Sequence, residues 1–225
     1  MELKWDETGK KLYETGISHG VLYKKKDDGT YGVGEAWDGL TKVSESPDGG
    51  DTTAKYANNN IYLNLSAPEK FKGSIGAYTY PPSFAECDGS KFVSNGGNMI
   101  AGLRVTGQTR RPFGLTYRTL LGNDAQGTDY GYQIHLVYNA TAGVSSRDNQ
   151  TVNESPDAIE FSWDFSTLPI PVPGMKPSAH LIIDSTKTPA DKLAALEKVL
   201  YGTSSSDARL PLPAEIITLL GGTAG

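Results

Sequence analysis

At 225 residues and a formal net charge of −5, the chain is sized for one domain that hides roughly 70% of its unfolded surface on folding. It lacks the basic excess that a phosphate-gripping nucleic-acid binder needs. A single cysteine, Cys87, excludes an intramolecular disulfide. No apolar run approaches the ~20 residues of a membrane span, and Met1-Glu2-Leu3-Lys4-Trp5-Asp6 has no apolar signal core, so a soluble protein made in a reducing cytoplasm is expected.

Residues 1–19 are expected to form an N-terminal arm. Gly20–Lys24 and Tyr31–Gly34 flank Asp28-Gly29, a hairpin turn because glycine accepts positive φ. Trp37–Ser46 gives another strand, stopped by Pro47-Asp48-Gly49-Gly50. Strands follow at Asp51–Ala57 and, after Asn58-Asn59-Asn60, through Ile61, Leu63 and Leu65. Gly73–Tyr80 is a strand ended by Pro81-Pro82, and Ser83–Cys87 can close one helical turn. From Asp88 to Arg111 the pattern fades around Gly96-Gly97-Asn98 and Gly107. A stretch this long reads as a protruding loop or irregular hairpin available for contacts between subunits.

The chain's strongest strand signal comes next. Phe113, Leu115, Tyr117, Thr119 and Leu121 alternate, as do Tyr130, Tyr132, Ile134, Leu136 and Tyr138. Alternate residues share one face of a strand. The two runs predict a long hairpin, joined by the loop Gly122–Asp129 and held by opposed aromatics. Residues 141–157 are polar and loop-like. Ala158–Thr167 is the clearest strand, with Ile159, Phe161, Trp163, Phe165 and Thr167 on one face and Glu160, Ser162, Asp164 and Ser166 on the other. One packed and one wet side is the mark of an antiparallel sheet. Leu168–Pro177 is an extended link and Ser178–Ile183 a further strand.

Thr188-Pro189-Ala190-Asp191 opens the one flanking helix, about 188–201, with Thr188 as cap. Leu193, Leu196, Val199 and Leu200 form its buried stripe and Gly202 ends it. Pro213–Leu220 is a second short helix or a docking strand, within a C-terminal segment spanning 203–225. The predicted fold is mainly β, an antiparallel sandwich or barrel, in a single domain over 1–225.

Reactive constellations are missing from the sequence. No phosphate-loop or dinucleotide glycine pattern is present. His19, His135 and His180 have no second histidine or cysteine at ligand spacing, and His135 reads as a surface or hydrogen-bonded residue on the polar face of its strand. Cys87 reads as a small buried residue. Asn123, Asp124 and Asp129 miss the ligand alternation of a calcium loop, and turn chemistry explains them. Glu160 and Asp164, four residues apart on one strand, lie roughly 13 Å apart, too far for a pair of glycosidase carboxylates. No catalytic residue, cofactor or metal is expected. The Asn-X-Ser/Thr triplets at Asn64, Asn139, Asn149 and Asn153 are chance products of composition.

An ordered series of pieces carries a resemblance. It includes Gly34-Glu35-Ala36-Trp37-Asp38-Gly39-Leu40 running on to Pro47, Lys55–Leu63, Ala77–Pro81 with Phe84–Gly89, and Pro112–Leu120 with Gly122–Asp124. Ser155–Ile159, Leu193–Glu197 and Leu200–Thr203 complete it. The series spans about residues 20–220 and resembles the major tail protein, or tail tube protein, of long non-contractile-tailed phages of Gram-positive bacteria. The resemblance implies a β-sandwich of the phage tail tube type with a flanking helix. It implies rings of six copies, stacked into a virion tail tube that conducts DNA without specific binding. Tape measure, tail terminator and baseplate proteins are the implied partners, with assembly in the bacterial host cytoplasm and no role for a membrane. On that reading Glu160 and Asp164 are candidates for the channel lining. Pro47, Asp48, Asp51, Asn98, Arg104 and Arg110, in the stretches 47–60 and 88–111, are candidates for contacts between rings. A carbohydrate- or receptor-binding β-sandwich module is the alternative, and a hydrolase is disfavoured by the missing nucleophile and acid pair.

Overall fold

The computed structural model describes residues 3–67, 69–95, 98–152, 154 and 157–223, with the backbone alone at 94, 95 and 98–101. Asn153, Ser155, Pro156 and Gly96-Gly97, used in the sequence reading, lie outside the described residues, as does the side chain of Asn98.

The chain is mainly antiparallel β. Strands β1 (Leu12–Lys25), β2 (Tyr31–Ala36), β3 (Leu40–Glu45), β6 (Lys72–Ala77), β9 (Phe113–Asn123), β10 (Gly127–Ser146), β11 (Phe161–Thr167) and β12 (His180–Asp184) form one sheet. Its order is β2-β1-β9-β10-β11-β6-β3, with β12 branching from β10. Two hairpins stand outside it: β4 (Thr52–Ala57) with β5 (Asn60–Ser66), and β7 (Lys91–Asn95) with β8 (Asn98–Val105). Helices are α1 (Ala85–Asp88), preceded by a single 3-10 turn, α2 (Ala190–Tyr201) and α3 (Pro213–Leu219).

The sheet curls back on itself. β3 is four strands removed from β9, yet the Tyr117 hydroxyl on β9 donates to the Glu45 carboxylate on β3 at 2.6 Å. The concave interior holds an aromatic core of Trp37, Phe71, Phe84, Phe113, Tyr117, Trp163 and Phe165. Edge-to-face contacts recur there, Phe84 meeting Trp163 at 5.1 Å and Phe113 at 5.4 Å, the geometry that ring quadrupoles favour. The outer face packs Tyr23, Ile134, Leu136, Tyr138 and Ile183 against Leu193, Leu196 and Leu200 of α2 and Ile216 of α3. Buried tyrosine hydroxyls there reach helix-end and linker carbonyls, Tyr23 to Leu200 at 2.6 Å and Tyr138 to Pro211 at 2.9 Å.

Several expectations are corrected. The two alternating runs of the central hairpin face opposite ways: Phe113, Leu115 and Tyr117 point into the curl, and Ile134, Leu136 and Tyr138 point under the helices. Tyr117 therefore lies opposite His135, on which it stacks, and Tyr132 opposite Leu120, so the two alternating runs do not oppose each other and a tyrosine–histidine pair is the cross-strand aromatic contact between them. Its loop is a tight turn, because Asn123 Oδ1 accepts from the amides of Ala125 and Gln126. The N-terminal arm is shorter than expected, since β1 begins at Leu12 and pairs with β9 from Asn123 onward. β10 continues through Ser146, into the stretch read as loop. In the other direction, β11 starts only at Phe161 and leaves Ile159 exposed.

The single flanking helix has a companion. α3 packs its Pro213 and Ile216 inward, and Pro213 stands at its start where a missing N–H costs nothing. Thr188 does not cap α2; its hydroxyl donates to the Asp184 carbonyl at 2.8 Å. At the other hairpins the turn chemistry matches the sequence. Gly29 takes φ 86°, and Asn58 and Asn59 take φ 51° and 62°, the paired left-handed residues of a tight two-residue connection.

Candidate functional sites: two projecting hairpins and a buried polar cluster

The β4–β5 hairpin pairs with no other strand among the described residues. Nearly every position along it is exposed. Ile61, Leu63 and Leu65 lie on one face, and Tyr56 and Tyr62 are 71% and 74% exposed. A lone two-stranded hairpin is at best marginally stable in water, because it has no third strand or helix to cover its apolar face. Pro47, Asp48 and Asp51 lie at its base and are exposed; Asp48 pairs with Lys72 at 2.5 Å and bridges to Lys70.

The stretch 88–111, read as a protruding loop or irregular hairpin, is the β7–β8 hairpin followed by an irregular segment that leads back to β9. Two of its predicted contact residues turn inward. The Arg104 guanidinium bonds the Tyr80 hydroxyl and lies over its ring, and Arg110 is half-buried with a buried Nε. Asn98 is in β8.

Glu160 and Asp164 are both exposed. Asp164 lies on β11 opposite Ser74 of β6, on the face away from the aromatic core, and Trp163, Phe165 and Thr167 alternate inward. Glu160 accepts a 2.5 Å hydrogen bond from Thr41, which fixes its carboxylate beside β3.

Two of the three histidines, scattered in sequence, meet inside the curl. His135 is 3% exposed, not on a solvated face. It sits on β10 next to Val137, on the concave side, because that half of the strand is covered by β3. Its ring stacks on Tyr117 at 4.5 Å and 7°. Nδ1 faces His180 Nε2 at 3.1 Å and Glu45 Oε1 at 3.4 Å. Nε2 faces Thr119 Oγ1 at 3.0 Å and Glu14 Oε1 at 3.5 Å. His180, from β12, is stacked on Phe71 at 4.1 Å. Spacing in sequence gave no sign of this cluster; the signal was the polar residue His135 between Ile134 and Leu136 in a strand with two apolar neighbours.

Burial pushes both imidazoles toward neutrality: His135 is lowered against the opposing pull of Glu45 and Glu14, and His180 falls to about 4. Burial, followed by the Glu45 carboxylate, drives the Tyr117 phenol upward, so it stays protonated and donates. The cluster opens to solvent through a cleft of about 520 Å³ bordered by Glu14, Lys42 and Gln133. Cys87 is fully buried and its thiol is pushed up to about 12 by burial, which leaves it unreactive at neutral pH. Asn123 and Asp124 do turn work, and Asp124 also accepts from the Gly9 amide at 2.9 Å, which ties down the arm. Among the described residues no helix is long and apolar enough to cross a membrane.

No protein-family model and no curated protein matches the chain. Among solved structures, the SPP1 tail tube is 13% identical over 92% of this chain and 99% of that one, with a TM-score of 0.34. The sheath–tube complex of an extracellular contractile injection system, PVC, is 10% identical over 74% and 88%, at 0.35. The tube-terminating cap of the anti-feeding prophage is 10% identical over 82% and 95%, at 0.34. Likenesses this remote carry no argument about function.

Proposed function

We propose that the chain is a structural subunit of a phage tail tube, working by fitting against copies of itself and not by turning over a substrate. Six copies close into a ring, rings stack, and the resulting channel conducts DNA during ejection. One observation supports the reading most: the β4–β5 hairpin displays Ile61, Leu63 and Leu65 to solvent on a projecting element that its own domain does not cover. An apolar hairpin of this kind gains stability only against a neighbour. The ordered resemblance over residues 20–220 supplies the identity of that neighbour, a further copy in the adjacent ring. Pro47, Asp48 and Asp51 at the hairpin base, together with Asn98 of β8, are assigned to the same contact; Arg104 shapes it from behind by holding the β7–β8 hairpin to Tyr80, and Arg110, on the segment after β8, is assigned beside it.

Charge gives the tube its second property. Six copies at −5 each carry 6 × −5 = −30. Wherever that charge lines the channel it repels the phosphate backbone and lets DNA slide. The wet face of β11, with Asp164, and Glu160 just ahead of the strand are assigned to that lining. The tube terminator, tape measure and baseplate are the partners at the ends and in the lumen, and the virion tail is the location. Negative-stain microscopy of concentrated or seeded protein tests the reading. Hollow rods support it; folded protein that stays monomeric at every concentration and with every seed overturns it.

A further inference from the structure

The cluster inside the curl has the ligand set of a cation site. We propose that His135 Nδ1, His180 Nε2 and a Glu45 carboxylate oxygen bind a divalent transition cation of the zinc and cobalt class, which clasps β3 to β10 and β12. The proposal is independent of the tail tube reading.

The three ligand atoms all lie within 4.8 Å of one another. Donors bound at about 2.0–2.1 Å around a tetrahedral cation lie about 3.3 Å apart. The two separations that involve His135 Nδ1, 3.1 Å to His180 and 3.4 Å to Glu45, bracket that edge. Two imidazoles and one carboxylate are a borderline-soft set suited to zinc or cobalt, and unlike the all-oxygen shells of calcium and magnesium.

The surroundings fit the ligands as well. A metal-bound imidazole usually donates its other nitrogen to a carboxylate or hydroxyl, which fixes the tautomer. Here Thr119 gives its own proton to Glu14, so its oxygen accepts from His135 Nε2–H, with the Glu14 carboxylate behind it. That leaves Nδ1 as a bare lone pair facing the site. On the other ligand, the Tyr117 hydroxyl holds the Glu45 carboxylate at 2.6 Å. The planes of the two imidazoles are inclined by 16° and their centroids lie 5.3 Å apart. His180 Nε2–H donates to the bare His135 lone pair at 3.1 Å; a cation displaces that proton to solvent and, with bonds of about 2.0 Å, sits off the line between the two nitrogens, which requires a tilt of the His180 ring along Phe71. The fourth position opens to the cleft beside Gln133 and is left to water.

The clasp has a mechanical consequence. β3 is an end strand of the sheet and touches β9 and β10 only by curling over them. Its Glu45 end is held there by the Tyr117 hydrogen bond and by Val43 packed against the core, and a bound cation adds bonds that resist opening of the curl.

The test uses untagged, full-length, chelator-stripped protein titrated with Co²⁺, followed by competition with Zn²⁺. One equivalent of Co²⁺ is expected to give the intense visible bands of tetrahedral coordination, displaced by Zn²⁺. Long-range ¹H–¹⁵N spectra of the wild type should show the nitrogens of His135 and His180, and not those of exposed His19, moving on Zn²⁺ addition. Glu45→Gln, which keeps an acceptor for Tyr117, and His180→Asn should each weaken binding by about 10-fold or more, with Glu14→Gln weakening it by about 10-fold through His135. His19→Ala should change nothing. Absence of tetrahedral Co²⁺ bands in the wild type, or unmoved His135 and His180 nitrogens, overturns the proposal. So does binding that survives both ligand variants.

Discussion

The Arg118 guanidinium lies 3.9 Å above the Tyr132 ring while its Nη2 donates to Glu197 Oε1 at 2.5 Å. The Tyr132 hydroxyl bonds the same carboxylate oxygen at 2.8 Å. One cation thus joins β9, β10 and α2, a polar tie between the sheet and the helix that covers its outer face. Arg118 and Glu197 side chains are 15% and 26% exposed, so the pair is screened less than a surface bridge. Arg118→Met is expected to lower unfolding free energy by about 1–3 kcal/mol, since it leaves Glu197 half-buried with one partner fewer. Arg118→Lys should recover only part of that, because an ammonium cannot lie flat on Tyr132 and fork toward Glu197. Urea denaturation of both variants measures it. A lysine variant as stable as wild type contradicts the planar-stacking account.

On the proposed tail tube reading, the β4–β5 hairpin separates assembly from folding. Ile61→Asp and Leu63→Ser act at side chains 58% and 39% exposed in the subunit, so unfolding free energy should change by no more than about 1 kcal/mol, less for Ile61→Asp than for Leu63→Ser. Tube formation should be lost or reduced several-fold in negative stain. Rods of normal length and yield from the Ile61→Asp, Leu63→Ser double variant would remove the hairpin from the contact.

How much of this was legible in the sequence depends on which neighbour decides each residue. Strands whose two faces differ, such as β11 with Trp163 and Phe165 inward and Asp164 outward, announce themselves because alternation is a local property. The turn at Asp28-Gly29 and the helix stripe Leu193, Leu196, Leu200 are local in the same sense. The central hairpin misled because both of its faces are buried: with apolar residues required on each side, alternation on β9 and on β10 could not reveal that the two sets point opposite ways. β1 before Gly20 was invisible, since Leu12, Tyr13 and Thr15 stay exposed and the strand exists through its pairing with β9. The histidine cluster was hidden for a third reason. His135, His180 and Glu45 come from three strands far apart in the chain, and only the curl of the sheet brings them together.

On the proposed tail tube reading, the charge of Asp164 on β11 and of Glu160 just ahead of it gives a prediction about passage, separate from assembly. Glu160→Lys with Asp164→Lys changes the formal charge by +4 per subunit, from −5 to −1. Both side chains are exposed, so folding should tolerate the change. Virions carrying the variant are expected to have tails of normal length and slower or incomplete DNA ejection, more so at low salt where screening is weak. Phage DNA release triggered in vitro, followed by a DNA-binding dye, reads it out. Normal tails with unchanged release at low salt would place the two carboxylates outside the channel.

Acid should loosen the curl through the two buried imidazoles. His180 is held at about 4 against an ordinary 6.5, and His135 is lowered as well, in both cases chiefly by burial. The charged groups that face them, Glu45 and Glu14, favour protonation of His135 but do not offset its desolvation. Above pH ~6.5 both native and unfolded chains hold these rings neutral, and no stability depends on them. As pH falls below 6.5 the unfolded chain takes up protons that the native chain refuses, so stability declines. For His180 the decline runs down to about pH 4, where the native ring finally titrates, and levels off beneath it. At about 1.4 kcal/mol per pKa unit the loss amounts to a few kcal/mol at most. Urea midpoints measured from pH 7.5 to 4 in chelator-free and chelator-treated buffer should fall more steeply for wild type than for His180→Gln, whose amide cannot charge. The difference between the two curves isolates the histidine from the carboxylates that also titrate in acid. Parallel curves across the whole range would mean that His180 titrates alike in the native and unfolded chains, and that the cleft admits enough water to solvate its charged form.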